Sequence, residues 1–169
     1  QRRNFAMIQA YKYGADINAT IDDDNIPYKN WGNNLLLEKP INCKKFLTNE
    51  IAFDPISVTN HKKLWHRGFP LQILNKKNNK KKIIKNKLKF DVQADFWNGD
   101  PDIDAICRME HLPECNFEKK KFPFTSNKFS PFNSQNTFIS RKVVKDYFLF
   151  PHIGRMDDIW ASYYVEAKG

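Results

Sequence analysis

The chain has 169 residues, a formal net charge of +9, 41% hydrophobic and 14% aromatic side chains. That length and aromatic content suit one packed domain over residues 1–169 and exclude an unfolded polymer. No apolar stretch approaches the roughly 18 residues a bilayer span needs, and neither a signal peptide nor a CxxC pair accompanies the three scattered cysteines, Cys43, Cys107 and Cys115.

The cysteine usage fits a reducing compartment, so a cytoplasmic location is expected, or the Golgi if a parent protein carries an anchor. The text opens in what reads as mid-helix, as an internal piece of a longer protein would. Eight lysines fall in 75–90, NKKNNKKKIIKNKLKF, and the remainder is close to neutral. This run lacks arginine and interleaved aromatics for base stacking, so it reads as a solvated insertion and no nucleic-acid partner is expected.

In chain order, Arg2 to Tyr13 reads as a helix with Phe5, Ile8 and Tyr11 or Lys12 on one side and Gly14 as its C-cap. Ala15, Ile17, Ala19 and Ile21 then alternate with Asp16, Asn18 and Thr20, the period of a strand. The strand runs into Asp22, Asp23, Asp24 and Asn25. Helix, glycine, strand and acidic loop make half of a βαβ unit, which points to an α/β fold. Adjacent carboxylates at a strand's carboxyl end either face water as a plain acidic loop or hold a hard cation such as Mn²⁺ or Mg²⁺ against a diphosphate.

Residues 26–60 carry Pro27, Pro40 and Pro55 and read mostly as loop, with a short strand near Ile51. Gly68 and Pro70 bend the WHRGFPLQIL segment, where Arg67 is either a planar fork for a phosphate or an ordinary surface arginine. Alternation at 90, 92, 94 and 96 predicts a strand, and Asp102 to Met109 a short helix. Asp100, Asp102 and Asp104 lack the glutamate of a calcium loop, which leaves a substrate-binding loop or a simple turn. Residues 117–132 have no clear period.

Thr137 to Ile139 reads as a strand, followed by a helix capped by Ser140 and running through Val143, Val144 and Tyr147. Met156 to Ala167 reads as a helix with Ile159, Trp160, Tyr163 and Tyr164 at helix-face spacing. Asp157 and Asp158 in its first turn either complement the helix dipole or supply a catalytic base, and Arg155 either clamps a phosphate or neutralises them. Asn133, Gln135 and Asn136 lie in a polar stretch that suits sugar hydroxyls or satisfies its own backbone. The histidines have no metal-ligand spacing.

Five blocks occur in a recognisable order: R-R-N and Y-G-A-D ahead of I-D-D-D-N, then W-H-R-G-F-P-L, N-G-D-P-D-I-D-A-I-C-R-M, P-F-N-S-Q-N-T-F and G-R-M-D-D-I-W. Together they resemble the STELLO-type glycosyltransferase family and, more remotely, the reversibly glycosylated polypeptides, the UDP-arabinopyranose mutases. The resemblance implies a GT-A, Rossmann-like nucleotide-diphospho-sugar fold whose first strands lie outside this chain. It implies a metal-dependent glycosyltransferase that takes a UDP-sugar and a glycan or small acceptor. A mutase or a non-catalytic partner in polysaccharide synthesis are the alternatives.

Carried over by position, Asp22 and Asp24, with Asp23 as a third candidate, resemble the DxD metal motif for Mn²⁺ or Mg²⁺. Arg2 and Arg3 resemble a basic patch that touches the diphosphate. Arg67 matches the arginine that becomes glycosylated in the mutases, and Asp157 and Asp158 match the acceptor-side pair. The lysine run departs from the mutases, which have a short connection there.

Overall fold

The computed structural model describes residues 2–169. It contains α1 (Arg2–Lys12), β1 (Ile17–Ile21), β2 (Ile41–Leu47), β3 (Lys82–Leu88), β4 (Val92–Ala94), α2 (Ala105–His111), β5 (Phe124–Ser126), β6 (Asn136–Ser140), the one-turn α3 (Arg141–Val144) and α4 (Asp157–Lys168). This is a mixed α/β protein with two small open sheets, ordered β1-β6-β4 and β3-β2-β5. Among the described residues no helix is long and apolar enough to cross a membrane.

The chain divides into two compact units, each with its own core. The first takes the residues up to Ile41, Leu88–Asp95 and Phe132–Gly169. Here β6 is the central strand and pairs antiparallel with both neighbours: Ile17 opposes Ser140, Ile21 opposes Asn136, and Val92 opposes Ile139. Met7, Phe132, Ile139, Val144, Tyr147, Leu149, Ala161 and Val165 form the core of this unit. The second unit, Asn42–Lys87 with Phe96–Pro131, is built on Ile56, Leu64, Trp65, Ile103, Cys107, Cys115 and Phe117. Its β2 and β5 run parallel, Lys44 opposite Phe124. The units differ in charge: the second carries seventeen Lys and Arg against eight Asp and Glu, the first eleven against eleven.

Several expected elements form with a different orientation. The α1 helix buries Asn4 and Met7, while Phe5 and Ile8 stand 64% and 49% exposed. The cause is a reciprocal pair in which the Asn4 amide donates to the Leu149 carbonyl (2.8 Å) and accepts from the Leu149 N–H (2.9 Å). Two buried hydrogen bonds set the roll of the helix where the weak apolar pattern does not. Gly14 ends it at φ +84°, a left-handed turn that glycine adopts without strain.

In β1 the buried position is polar Asn18, and Ala19 and Ile21 face out. Similarly, α4 buries Asp158, Ile159, Ala161, Ser162 and Val165 and turns Trp160 and Tyr164 outward. Ser140 does not cap α3, because its hydroxyl bonds the Asp91 carboxylate at 3.1 Å, and the helix stops after one turn.

Residues 26–60 hold a full strand, β2, and the strand expected at Ile51 reduces to a single bridge between Ala52 and Phe129. The lysine run is ordered in part as β3, whose half-buried positions Ile84, Asn86 and Leu88 alternate with exposed Ile83, Lys85 and Lys87.

The roll of α1 gives a direct test. Met7→Ala is expected to lower the unfolding free energy by about 2–4 kcal/mol, as core truncations do, and Phe5→Ala by less than about 0.5 kcal/mol. Urea denaturation of both variants measures it, and equal losses would mean that Phe5 is packed.

Candidate functional site

The first unit gathers polar groups from three distant segments at the carboxyl end of β1. The Asp22 N–H donates to the Gln135 carbonyl at 3.2 Å, and the Asp22 carbonyl accepts the Asn25 N–H at 3.2 Å, which closes a turn over Asp23 and Asp24. Asn25 Nδ2 binds the same Gln135 carbonyl at 3.0 Å. The acidic turn is therefore fastened to the segment that leads into β6. Of the three acids, Asp22 is partly buried, and Asp23 and Asp24 face solvent.

Arg3 reaches across from α1. One terminal nitrogen, Nη2, pairs with Asp22 Oδ1, and the other, Nη1, donates to the Ser134 hydroxyl. Ser134, itself buried, donates its backbone N–H to Asp158 Oδ2 at 3.1 Å, with its hydroxyl 3.4 Å from the same oxygen. Asp158 is 5% exposed, and its other oxygen accepts the Ile159 N–H at 2.9 Å. Asp157 stays at the helix end, where its carboxylate accepts the Asp158 N–H at 2.9 Å. A continuous path thus runs from Asp22 through Arg3 and Ser134 to Asp158.

The three polar side chains expected to meet a sugar differ from one another. Asn133 Oδ1 accepts the Gln135 N–H at 3.0 Å, so this side chain serves its own loop. Asn136 Oδ1 accepts from the Trp31 indole at 2.9 Å. Gln135 Oε1 is a buried acceptor with no hydrogen-bond donor. Such an oxygen costs free energy until a donor meets it. Arg2 and Arg155 are exposed. The residues that sequence reasoning passed over are Ser134, Asn25 and Trp31. In the sequence Ser134 is one polar residue among the five between Phe132 and Phe138.

Arg67 and Asp102 belong to the second unit and pair with each other. Arg67 Nε donates to Asp102 Oδ1 (2.8 Å) and Oδ2 (3.0 Å), with the side chains 17% and 9% exposed. Together with the bridge between His66 and Ile103, this pair ties the WHRG loop to the segment before α2. Gly68 at φ +90° makes the bend that follows.

The same loop rests on Asp54, which is fully buried. Its Oδ1 accepts the N–H groups of Ile56 and His66, both at 3.1 Å, and its Oδ2 has no hydrogen-bond partner. Burial pushes its carboxyl up to about 6, against the two N–H bonds and the charges of Lys77 and Lys81. Burial also lowers Lys77 and Lys81.

Among the described residues no group of three or more His, Cys, Asp or Glu converges to hold a metal ion. Mg²⁺ and ions like it are commonly held by one or two carboxylates together with substrate phosphates, so Asp22 and Asp24, hard oxygen donors on one turn, fit that donor set in kind. No protein-family model matches this chain, and no curated protein does.

Two outcomes follow from the buried acids. Asp158→Asn puts an amide donor against the Ser134 N–H and is expected to cost about 2–3 kcal/mol, while Asp157→Asn costs less than about 1 kcal/mol; thermal unfolding of both variants checks this. For Asp54, the folded carboxyl keeps its proton to about 6, whereas the unfolded one loses it near 3.9. Its stabilising effect is complete below the lower value and is lost as pH rises through the higher one. The wild type should therefore lose up to about 3 kcal/mol between roughly pH 4 and 7 relative to Asp54→Asn. Urea midpoints of the two proteins that shift in parallel across that range would show that Asp54 titrates normally.

Proposed function

We propose that this chain is a GT-A-type glycosyltransferase domain that takes a nucleotide-diphosphate sugar, with UDP-sugars as the first donors to test. The observation that carries this reading is the linked path of Asp22, Arg3, Ser134 and Asp158. A cation, an anionic diphosphate and a hydroxylic acceptor each have a matching group along it. The order of sequence blocks that resembles the STELLO-type family is what suggests this class of donor.

In this reading Asp22 and Asp24, with Asp23 beside them, hold Mn²⁺ or Mg²⁺. When bound there, such an ion would supply positive charge for the departing nucleoside diphosphate. Arg3 faces the phosphates as a two-pronged donor, with Arg2 and Arg155 adding positive charge at the surface. Gln135 Oε1 accepts a hydrogen bond from a sugar hydroxyl, which supplies the donor it lacks. Asn133 and Asn136 hold that segment in shape.

The bond between the anomeric carbon and the diphosphate oxygen breaks, and its electron pair leaves with the nucleotide. The acceptor oxygen forms the new bond to that carbon, and its proton passes by way of the Ser134 hydroxyl to Asp158. Transfer is favoured over mutase chemistry because Arg67, which a mutase of the resembled kind would glycosylate, is held by both oxygens of Asp102. The three free thiols are in keeping with a reducing compartment such as the cytoplasm.

The test is calorimetric titration of UDP and UDP-sugars into the protein with and without Mn²⁺, with the Asp22→Asn/Asp24→Asn double variant as control. Binding that needs Mn²⁺ and is lost at least tenfold in the double variant is the expected result. Absence of binding to the wild-type protein with Mn²⁺ present would overturn the reading.

A further inference from the structure

The Arg3 contacts imply how metal and nucleotide depend on each other, an inference that rests on the nucleotide-sugar reading above. The Arg3 guanidinium is on Asp22 Oδ1, the same carboxylate that the reading assigns to the cation. A guanidinium and a divalent ion cannot both occupy one side of a single carboxylate without repelling each other. With the side chains of Arg3 and Asp22 47% and 20% exposed, the pair is open to exchange rather than sealed in a core. Exposed ion pairs are weak, and a guanidinium has a strong alternative partner in a diphosphate, whose oxygens match its fork.

We propose that Arg3 is a built-in counter-cation for Asp22, which competes with the divalent metal and is drawn away by the diphosphate of the donor. Metal binding is then coupled to nucleotide binding, and by linkage each tightens the other by the same factor.

The second prong extends the consequence to the acceptor side. The same guanidinium donates to the Ser134 hydroxyl, which neighbours Asp158 Oδ2 at 3.4 Å. When the diphosphate takes the guanidinium, that hydroxyl loses a donor and its lone pair becomes free to accept from an incoming hydroxyl, while its own proton faces Asp158. One arginine therefore reports donor occupancy to both carboxylates. Its position follows from α1, where the neighbouring Asn4 is fastened to Leu149.

The experiment measures the dissociation constant of Mn²⁺ alone and in saturating UDP, by electron paramagnetic resonance of free Mn²⁺. The proteins compared are wild type, Arg3→Ala, Arg3→Gln and the Arg3→Ala/Asp22→Asn double variant. Circular dichroism checks each fold, and the glutamine variant keeps a donor for Ser134 without the charge. The wild type is expected to bind Mn²⁺ about tenfold tighter with UDP, within the usual range of coupling. Arg3→Ala and Arg3→Gln should bind Mn²⁺ alone about tenfold tighter than wild type, gain less from UDP than wild type does, and lose the tighter binding when Asp22 is also replaced.

If UDP still promotes Mn²⁺ binding equally in all Arg3 variants, the competition is overturned and the glycosyltransferase reading stands. If wild type takes up no Mn²⁺ with UDP present, the metal-dependent reading fails and this inference falls with it.

Discussion

A carboxylate removed from water must be met by donors from the protein, and Asp158 imposes that demand on the first unit. Its oxygens are met by the Ser134 and Ile159 N–H groups, so the segment Phe132–Asn136 must lie across the start of α4. The strand β6 begins in that segment, and β1 and β4 take their registers from it. From β1 the chain turns at Asp22, whose N–H returns to Gln135, and Arg3 joins Asp22 back to Ser134. The polar groups thus form a continuous path through four elements, and the acids at its two ends are not independent. A change at the buried end is transmitted to the exposed end through one serine and one arginine.

What was legible in the sequence was the succession of elements in the first unit and the place where chemistry-bearing residues collect; β2 and β5 of the second unit were not. The alternation of Ile17, Ala19 and Ile21 with polar residues marks a strand, and Gly14 marks the helix end before it. What was not legible was orientation. An apolar residue at helix spacing is a vote for burial, but one amide that satisfies both backbone groups of Leu149 outweighs Phe5 and Ile8. In β1 the same contest goes to Asn18, because the side of an edge strand that packs is chosen by the neighbouring strand's partners and not by its own composition.

The site shows the same division. The acids, Arg3 and the Asn133–Asn136 stretch were identifiable as residue types, and which of them would touch was not. Asp22 turns inward and its two neighbours do not, a difference settled by a turn hydrogen bond that no spacing rule encodes. Arg67 reads as a ligand-seeking arginine in sequence because its partner, Asp102, lies 35 positions away. Asp54 is similarly silent: only its three-dimensional surroundings distinguish a buried anchor of the WHRG loop from a residue that starts a proline turn.

The second unit holds the whole net charge, and part of that charge stands on β3, the terminal strand in the order β3-β2-β5. An outermost strand offers unpaired backbone groups to any extended chain and is a starting point for aggregation. A second copy of β3 pairing there would set Lys85 and Lys87 within roughly 5 Å of like charges on the newcomer. The lysines therefore act as gatekeepers that keep the sheet from growing between molecules. Because such repulsion is screened over about 8–10 Å at physiological salt, the protection of this edge weakens as ionic strength rises.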